Sequence, residues 1–320
     1  MTAQALDPRV LAIEQAVNLR PELLEAQIVD EKVTAKTERA LRGAVSDALY
    51  GHFHTGLGSA KQSVPPREPE LEQRYASRVP HGNSRVNGVA APQSAGAAAV
   101  FDLNGVRVEF PARSVLASDG DRNVLSIGAQ RPNLSPGFFA VIGSKGWTPS
   151  ASVLRVYVNV GTVQTAVQAW GLALEHLEET EAVYQAKVVS RANLVSRRDG
   201  MVFYLDAAAH PLMPGLARKL SRLALPIEVP DFTQSLAPGI SYAWEPTHDS
   251  SQPRRSFGLH RARAITAALF DQTADPHKPF AMHARERLIE FRIEPTGIHR
   301  NIDSPLIQED TAPLFPWRVV

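Results

Sequence analysis

Cysteine is absent from this chain of 320 residues. Disulfide bonds, thiolate metal sites and a cysteine nucleophile are therefore excluded. An excess of charge of one sign is also lacking, because 34 basic and 33 acidic residues leave a formal net charge of +1. A protein with so little net charge has no global field that attracts nucleic acid or an anionic membrane. We expect neither as a partner, and any anion must be recognised locally.

Long hydrophobic runs and targeting segments are missing too. Asp7, Arg9 and Glu14 place charges in the first residues of the chain, which argues against a signal peptide. No stretch reaches the ~20 apolar residues that a spanning helix needs. Hydrophobic residues nevertheless make up 44% of the chain, enough to build a core. We expect a soluble protein that stays in the cytoplasm.

Generic motifs of cofactor and catalytic sites are not present. The sequence contains no dinucleotide fingerprint, no P-loop, no serine nucleophile elbow and no paired-histidine metalloprotease motif. His52 and His54 form the one close pair of histidines, but no third candidate ligand lies nearby in the sequence. Surface or hinge positions are the simpler interpretation of this pair. We therefore expect no metal and no cofactor.

Three regions differ in their sequence pattern. Residues 1–56 carry apolar residues at helical spacing, such as Val10 and Ile13, and are predicted to be helical. Residues 57–99 are dominated by Gly, Pro, Ser and charged residues without periodicity, which indicates a flexible linker. Residues 100–320 combine short strands with helices and are predicted to form the α+β domain.

Strands follow one another in this third region. Asn104-Gly105 separates two alternating apolar runs, which is typical of a hairpin. In the strand predicted for residues 153–160, Arg155, Tyr157 and Asn159 share one face. Further strands are predicted near residues 184–190, 201–205 and 288–293, and helices near residues 163–177, 213–223 and 259–270. Because several strands lack a crossover helix between them, the predicted fold is α+β, with a mainly antiparallel sheet flanked by helices.

Polar and cationic side chains on separate predicted elements are the remaining candidates for a site. Each has a simpler interpretation as a solvated strand residue, a loop residue or part of an exposed first turn of a helix. Helix N-termini do bind phosphate readily, so the pattern alone indicates at most an anion site. The candidates outside the strand 153–160 are Lys187, Arg198, Asp199, His260 and Arg261.

Several segments together resemble the HopA-type effector family. That family includes actinobacterial enzymes that act beside a kinase-like protein in thioamitide and class V lanthipeptide biosynthesis. The resemblance runs from about Gly137 to Phe270, under half of the chain, and its SFGLHR and LAPGI elements are the most specific. The segments are Val153–Val160 (VLRVYVNV), Tyr184–Val189 (YQAKVV), Arg197–Leu205 (RRDGMVFYL), Leu236–Ile240 (LAPGI) and Ser256–Arg263 (SFGLHRAR).

The resemblance implies a lyase that eliminates phosphate from phosphoserine or phosphothreonine in a ribosomally made precursor peptide. The products would be dehydroalanine or dehydrobutyrine. A kinase-like partner would install the phosphate and form a heterocomplex with the lyase. The phosphorylated precursor peptide would carry its leader. This chemistry requires no metal, nucleotide or redox cofactor.

Roles for the candidate residues follow from that implied chemistry. Lys187 is the candidate base, acting in a neutral form that burial and nearby arginines favour. His260 is the candidate general acid, and these two roles are interchangeable at this point. Asn159 or Tyr157 would support the developing enolate, and Asp199 would orient a cation. The candidate phosphate ligands are Arg198, Arg261, Arg155 and Lys145.

Two other functions are compatible with the same sequence. The chain could be a non-catalytic module that binds the leader peptide or the kinase. It could also be a secreted effector, for which an unstructured N-terminal export segment would be expected. Binding of a phosphopeptide without release of phosphate would favour the module.

Overall fold

The computed structural model describes residues 6–58, 68–90, 98–103, 105–132, 134–148, 152–246 and 256–307. Within these ranges the chain forms seven α-helices and three antiparallel sheets, which confirms the predicted α+β class. None of the helices described is long and apolar enough to cross a membrane.

The N-terminal segment alternates between helix and strand. Asp7 caps the first helix by accepting the N–H of Arg9, and Thr37 caps the second by accepting that of Ala40. Three short antiparallel strands lie between these helices. The elements are α1 (Pro8–Gln15), β1 (Val17–Arg20), β2 (Glu25–Ile28), β3 (Glu31–Thr34) and α2 (Glu38–Tyr50).

The prediction of a helical region over residues 1–56 is therefore wrong for its middle part. Helical spacing is present at both ends of the region, in α1 and α2. Between them, Ala26 and Ile28 are buried and alternate with Glu25 and Gln27, which are only partly buried. This is the period of a strand with one covered face.

A five-stranded antiparallel sheet follows in the chain, with strand order β6-β5-β4-β8-β7. Strands β5 and β6 pair from Leu103 and Val106 outwards, which confirms the predicted hairpin, although Asn104 lies outside the described residues. The elements are α3 (Pro69–Ala76), β4 (Asn83–Ala90), β5 (Ala98–Leu103), β6 (Val106–Pro111), β7 (Val115–Asp119) and β8 (Arg122–Gly128).

Two of these elements correct the prediction of a flexible linker over residues 57–99. Helix α3 buries Leu71 and Tyr75 in the core of the central sheet, and β4 pairs with β8 over seven residue pairs. Both elements are fixed by partners far away in the sequence, which local composition does not reveal. Residues 59–67 and 91–97 of the predicted linker lie outside the described residues.

The central sheet has six strands in the order β13-β14-β10-β12-β11-β9. Its strands β10, β11 and β12 lie close to the predicted positions. The elements are β9 (Phe138–Ile142), β10 (Leu154–Val158), α4 (Val163–Glu179), β11 (Tyr184–Val189), β12 (Met201–Leu205), α5 (Met213–Leu220), β13 (Gln234–Ala237), β14 (Ile240–Trp244), α6 (Phe257–Ala274) and α7 (Phe280–Glu290).

Each face of the central sheet is covered by a different set of helices. Alternate residues of β10 and β12, such as Val156 and Phe203, pack with α4 and α5 in one core cluster. Tyr157 and Val202 point the other way and pack with α2, α6 and α7 in a second cluster. We call this second side the α6 face of the sheet. It is the side on which the polar strand residues lie.

The strand predicted near residues 288–293 is wrong. Residues 280–290 form helix α7, which buries Ala284 and Leu288 four positions apart on its inner face. A run of six residues is too short for alternation to exclude a helix. Only Ile293 takes part in a β-bridge, with Asn301.

Candidate functional site

Lys187 lies on β11 at the half-open side of the α6 face. The register places it beside Val202 of β12 and Ala140 of β9. Its Nζ lies 4.4 Å from the centre of the Phe138 ring and 5.8 Å from that of Tyr204. Lys187, Phe138 and Tyr204 are all partly accessible, whereas β10 on the same face is buried. The amino group therefore lies against aromatic rings and is accessible to a ligand from solvent.

A hydrogen-bonded network lies beside Lys187. Arg197 donates through Nε and Nη2 to the two carboxylate oxygens of Asp199, at 2.8 and 2.9 Å. The same Nη2 donates to the hydroxyl of Tyr50 at 2.9 Å, and that hydroxyl lies 3.3 Å from Asp199 Oδ2. Asp199 and Tyr50 thus occupy two of the three nitrogens of Arg197 and leave Nη1 for a ligand.

His54 closes this network from the N-terminal segment. It follows α2 in a single π-helical turn, and its Nε2 lies 3.6 Å from Asp199 Oδ2. The rings of Tyr50, Tyr157, Phe232 and Phe257 surround it at centroid distances of 5.4–5.9 Å. Its Nδ1 is buried and has no hydrogen-bond partner among the described residues. We call Lys187, Arg197, Asp199, Tyr50 and His54 the Lys187 cluster.

Electrostatics fix the charge of the buried members of this cluster. Burial alone would raise the pKa of Asp199, but the charge and hydrogen bonds of Arg197 lower it to about 2. Burial, together with the nearby charges of Arg197, Arg155 and Lys187, lowers the pKa of His54 to about 4, against the opposing effect of Asp199. At neutral pH, Asp199 is an anion paired with Arg197, and His54 is uncharged.

A cavity of about 200 Å³ adjoins the cluster at Phe138. We call it the arginine cavity, because two arginines lie in its wall. Arg197 belongs to the Lys187 cluster, and Arg191 lies two residues after the end of β11 and is buried. The cavity is lined by Pro136, Gly137, Phe138, Val189, Arg191, Leu194 and Arg197.

Of the residues predicted from the sequence, Lys187 and Asp199 lie together here, and Tyr157 contacts the cluster through the ring of His54. Tyr157 itself is buried and accepts a hydrogen bond from Arg155 Nη1 at 3.2 Å. Burial raises the Tyr157 pKa, so its hydroxyl stays protonated. Arg155 is also buried and forms an ion pair with Glu245. This pairing corrects the prediction of Arg155 as a phosphate ligand.

Arg261 is a residue of the fold, which corrects its predicted role as a phosphate ligand. Its guanidinium is fully buried and donates to Ile298 O at 2.8 Å, to Arg300 O at 3.0 Å and to Asn301 Oδ1 at 2.8 Å. It thereby ties the first turn of α6 to the segment after α7. His260 contacts Arg261 through Nδ1 at 2.8 Å and packs against the ring of Phe291. These contacts direct His260 towards the end of α7.

The other three predicted residues lie apart from the Lys187 cluster or are fully engaged. Arg198 pairs with Asp231 at 2.9 Å. Asn159 is buried beyond the end of β10 and donates to Glu228 O at 3.0 Å. Lys145 pairs with Glu181, at the end of α4 on the opposite side of the sheet. Sequence spacing alone could not show that these residues are engaged elsewhere, because each is polar and follows or precedes a strand.

Sequence reasoning also missed four contributors, Tyr50, His54, Arg191 and Arg197. Tyr50 and His54 come from a segment that the resemblance does not cover. Arg197 begins the quoted RRDG segment and directly precedes Arg198, whose predicted role stays a prediction. The sequence contains one signal that points to Arg191, namely a cation just beyond the strand that carries Lys187. In the described part of the chain, no group of three His, Asp or Glu side chains is placed to hold a metal ion.

Comparison with known proteins identifies the family of this chain. The model of the HopA1 effector protein family matches residues 129–300, slightly more than half of the chain. The chain belongs to the HopA1 effector protein family. The matched range contains Lys187, Arg191, Arg197 and Asp199, whereas Tyr50 and His54 precede it. A search of curated proteins found no match.

Two solved effector structures are similar to this member of the HopA1 family. The effector protein from Pseudomonas syringae pv. tomato strain DC3000 has a TM-score of 0.50 and 18% identity, over 81% of this chain and 90% of that chain. The effector protein from Pseudomonas syringae pv. syringae strain 61 has a TM-score of 0.46 and 18% identity, over 78% of this chain and 86% of that chain. At this identity, the first similarity establishes a shared fold and nothing about activity.

Proposed function

We propose that this protein is a lyase that eliminates phosphate from phosphoserine or phosphothreonine in a ribosomally made precursor peptide. It would act in the cytoplasm beside a kinase-like protein that installs the phosphate. The observation that carries the proposal is the position of Lys187, a partly accessible amine next to the Arg197–Asp199 pair and the arginine cavity. No cofactor is needed for the reaction.

In the proposed reaction, the amine of Lys187 removes the Cα proton of the phosphorylated residue. The electron pair of the broken C–H bond forms the Cα–Cβ double bond, and the Cβ–O bond breaks as phosphate leaves with its electron pair. The products are dehydroalanine or dehydrobutyrine, inorganic phosphate and a protonated Lys187.

Arg197 would stabilise the negative charge of the leaving phosphate through its Nη1, which Asp199 and Tyr50 leave available. Asp199 and Tyr50 are positioning residues in this proposal, because they hold Arg197 through its other two nitrogens. His54 packs behind them as an uncharged ring at neutral pH. The network therefore holds the Arg197 guanidinium in a fixed position next to the leaving phosphate, and none of its members needs to gain or lose a proton.

Mass spectrometry of a phosphothreonine peptide carrying the native leader tests the proposal, with the kinase present and ATP omitted. We expect a loss of about 98 Da per phosphate eliminated. Lys187→Ala should slow this loss by at least about 100-fold, the usual minimum for a general base. Lys219→Ala is the matched control, because Lys219 pairs with Glu179 near the end of α4 on the opposite side of the sheet.

Two outcomes would contradict the proposal. An unchanged phosphopeptide, under conditions in which binding is demonstrated, would leave a non-catalytic module that binds peptide or kinase. Elimination at the normal rate by Lys187→Ala would exclude Lys187 as the base.

A further inference from the structure

Arg191 is a buried cation that the fold leaves incompletely paired. Only 4% of its surface is exposed. Its Nε is buried and has no hydrogen-bond partner among the described residues. A charged donor buried without an acceptor is costly, so a position of this kind is expected where a ligand supplies the acceptor.

The arginine cavity gives that ligand a place. Arg191 forms part of its wall, opposite Gly137, at which an added Cβ would lie 3.9 Å from both Cζ and Nε of Arg191. The volume of about 200 Å³ exceeds the ~30 Å³ that one water molecule takes in the liquid several times over. A phosphate group with part of the attached side chain therefore fits.

The charges around the cavity favour an anion. Arg191 and Arg197 are cationic, and Asp199 balances Arg197 through two hydrogen bonds. The carboxylate of Glu68 also lies near, but it accepts the backbone N–H of Ala192 at 3.2 Å. Glu245 on the same sheet face is paired with Arg155. Arg191 thus places a cation in the wall of the cavity.

We propose that Arg191 and Arg197 together bind the phosphate group of the phosphorylated peptide in the arginine cavity. This inference rests on the proposed function and adds the residue and the place that hold the anion. Arg191 supplies its guanidinium group from the wall of the cavity, and Arg197 supplies Nη1. Lys187, on the far side of Phe138, then lies next to the carbon atoms that carry the phosphate.

Binding of inorganic phosphate to the full-length protein tests this inference separately from any activity. Phosphate should raise the melting temperature of the wild-type protein, compared with chloride at equal ionic strength, because a ligand of the folded state stabilises it. In Arg191→Gln, phosphate affinity measured by calorimetric titration should fall by at least about tenfold, as expected for the loss of a charge-assisted hydrogen bond. Lys219→Gln, on the opposite side of the sheet, should bind phosphate as the wild-type protein does.

Stability without phosphate distinguishes a binding role for Arg191 from a structural one. If Arg191 is kept for a ligand, Arg191→Gln in phosphate-free buffer should be at least as stable as the wild-type protein, because an incompletely paired buried charge has been removed. A large loss of stability in Arg191→Gln would overturn the proposal and make Arg191 a residue of the fold.

The remaining outcomes separate this site from the proposed function. If the wild-type protein shows no response to phosphate, or if Arg191→Gln binds it equally well, the anion does not bind in the arginine cavity. If phosphate and a phosphothreonine peptide bind in an Arg191-dependent way but no phosphate is eliminated, the anion site stands and the lyase proposal fails. An unphosphorylated peptide that binds as tightly as the phosphopeptide would also overturn the site.

Discussion

Gly258 brings helix α6 into contact with the Lys187 cluster. A Cβ at this position would lie 2.4 Å from Cδ2 of His54 and 2.8 Å from Cε2 of Tyr50, in both cases too close. Since His54 is held by four aromatic rings, it has little room to move. We expect Gly258→Ala to lower the free energy of unfolding by about 1–3 kcal/mol, as other overpacked cores do. Urea unfolding followed by circular dichroism measures this change.

Gly43 provides the matched control for that substitution. It is exposed within α2, and an added Cβ would meet nothing within 4 Å. Gly43→Ala should therefore raise the free energy of unfolding by about 0.5–1 kcal/mol through helix propensity. If both variants were stabilised alike, the close contact between α6 and His54 would not exist.

His54 predicts a pH dependence of stability. Burial lowers its folded-state pKa to about 4, against 6.5 for an unperturbed histidine. Between these values the unfolded chain binds a proton that the folded chain does not. The stabilising contribution is thus present above pH 6.5 and is lost as the pH falls towards 4. Urea unfolding at a series of pH values should show the free energy of unfolding falling across this window.

Other groups act in the same direction and define the control. Burial also lowers the pKa of His299, to about 4, and the pKa of His176 and of His210, so all three add to the same slope. Asp199 acts at lower pH, because its stabilising contribution is present above pH 3.8 and is lost as the pH falls towards about 2. His54→Asn should reduce the slope between pH 6.5 and 4 but leave the part due to the other three histidines. An unchanged slope would mean that His54 takes up its proton over the same pH range in the folded and the unfolded chain.

At the scale of the element, helix α6 is held at its first turn by one buried guanidinium. Arg261 donates to three acceptors on residues 298–301, in a forked geometry that an ammonium group does not reproduce. Arg261→Lys should therefore lower the free energy of unfolding by about 2 kcal/mol or more, because buried acceptors lose their donors. Urea unfolding measures the loss, and hydrogen exchange should show faster opening of residues 293–301.

Arg263, two positions further along α6, is the control for Arg261. It is only partly buried, and Asp47 is the charged group that interacts with it. Arg263→Lys should change stability by less than about 1 kcal/mol, as is usual for exposed ion pairs. Equal effects of the two substitutions would show that the buried hydrogen bonds of Arg261 contribute nothing specific.

Two sequence motifs acquire an element-level meaning in the structure. SFGLHR starts α6, where Ser256 accepts the N–H of Leu259 as the helix cap, Gly258 permits close packing and Arg261 anchors the helix. LAPGI forms the turn between β13 and β14, with Gly239 at a φ of +68°. Both motifs therefore specify how elements dock. The most distinctive residues of a motif therefore need not be the residues that bind a ligand.

At the scale of the whole molecule, the N-terminal segment is part of the main core. Leu41, Val45 and Leu49 of α2 are fully buried in the same cluster as residues of α6 and α7. The boundaries of the predicted domains at residues 56 and 99 stay predictions, but the packing argues against independent folding of residues 100–320. A chain that starts at residue 100 should lack a cooperative unfolding transition, because one face of α6 loses its cover.

Limited proteolysis and thermal unfolding of that shortened chain provide the test. Rapid cleavage within residues 257–290 and no sharp transition are the expected results. A shortened chain that melts cooperatively at the same temperature as the full-length protein would show that residues 100–320 fold as a separate domain.

Much of the central fold could be predicted from local pattern. The alternation of residues 154–158 and 201–205 and the helical stripe of residues 163–177 are properties of neighbouring residues, and the structure reproduces them. The strands at residues 17–34 and the helix at residues 69–76 could not be predicted in this way. They are short, and their stability comes from partners distant in the sequence.

The α+β class, the strand that carries Lys187 and the resemblance to the HopA family could all be predicted from the sequence, because each depends on residues close together in the chain. The tertiary structure determines which cations are accessible to a ligand. It pairs Arg155 with Glu245, engages Arg261 with two backbone carbonyls and the side chain of Asn301, and places Tyr50 and His54 beside Asp199. Whether a cation is available to a ligand depends on its burial and on acceptors elsewhere in the chain, and no local pattern contains that information.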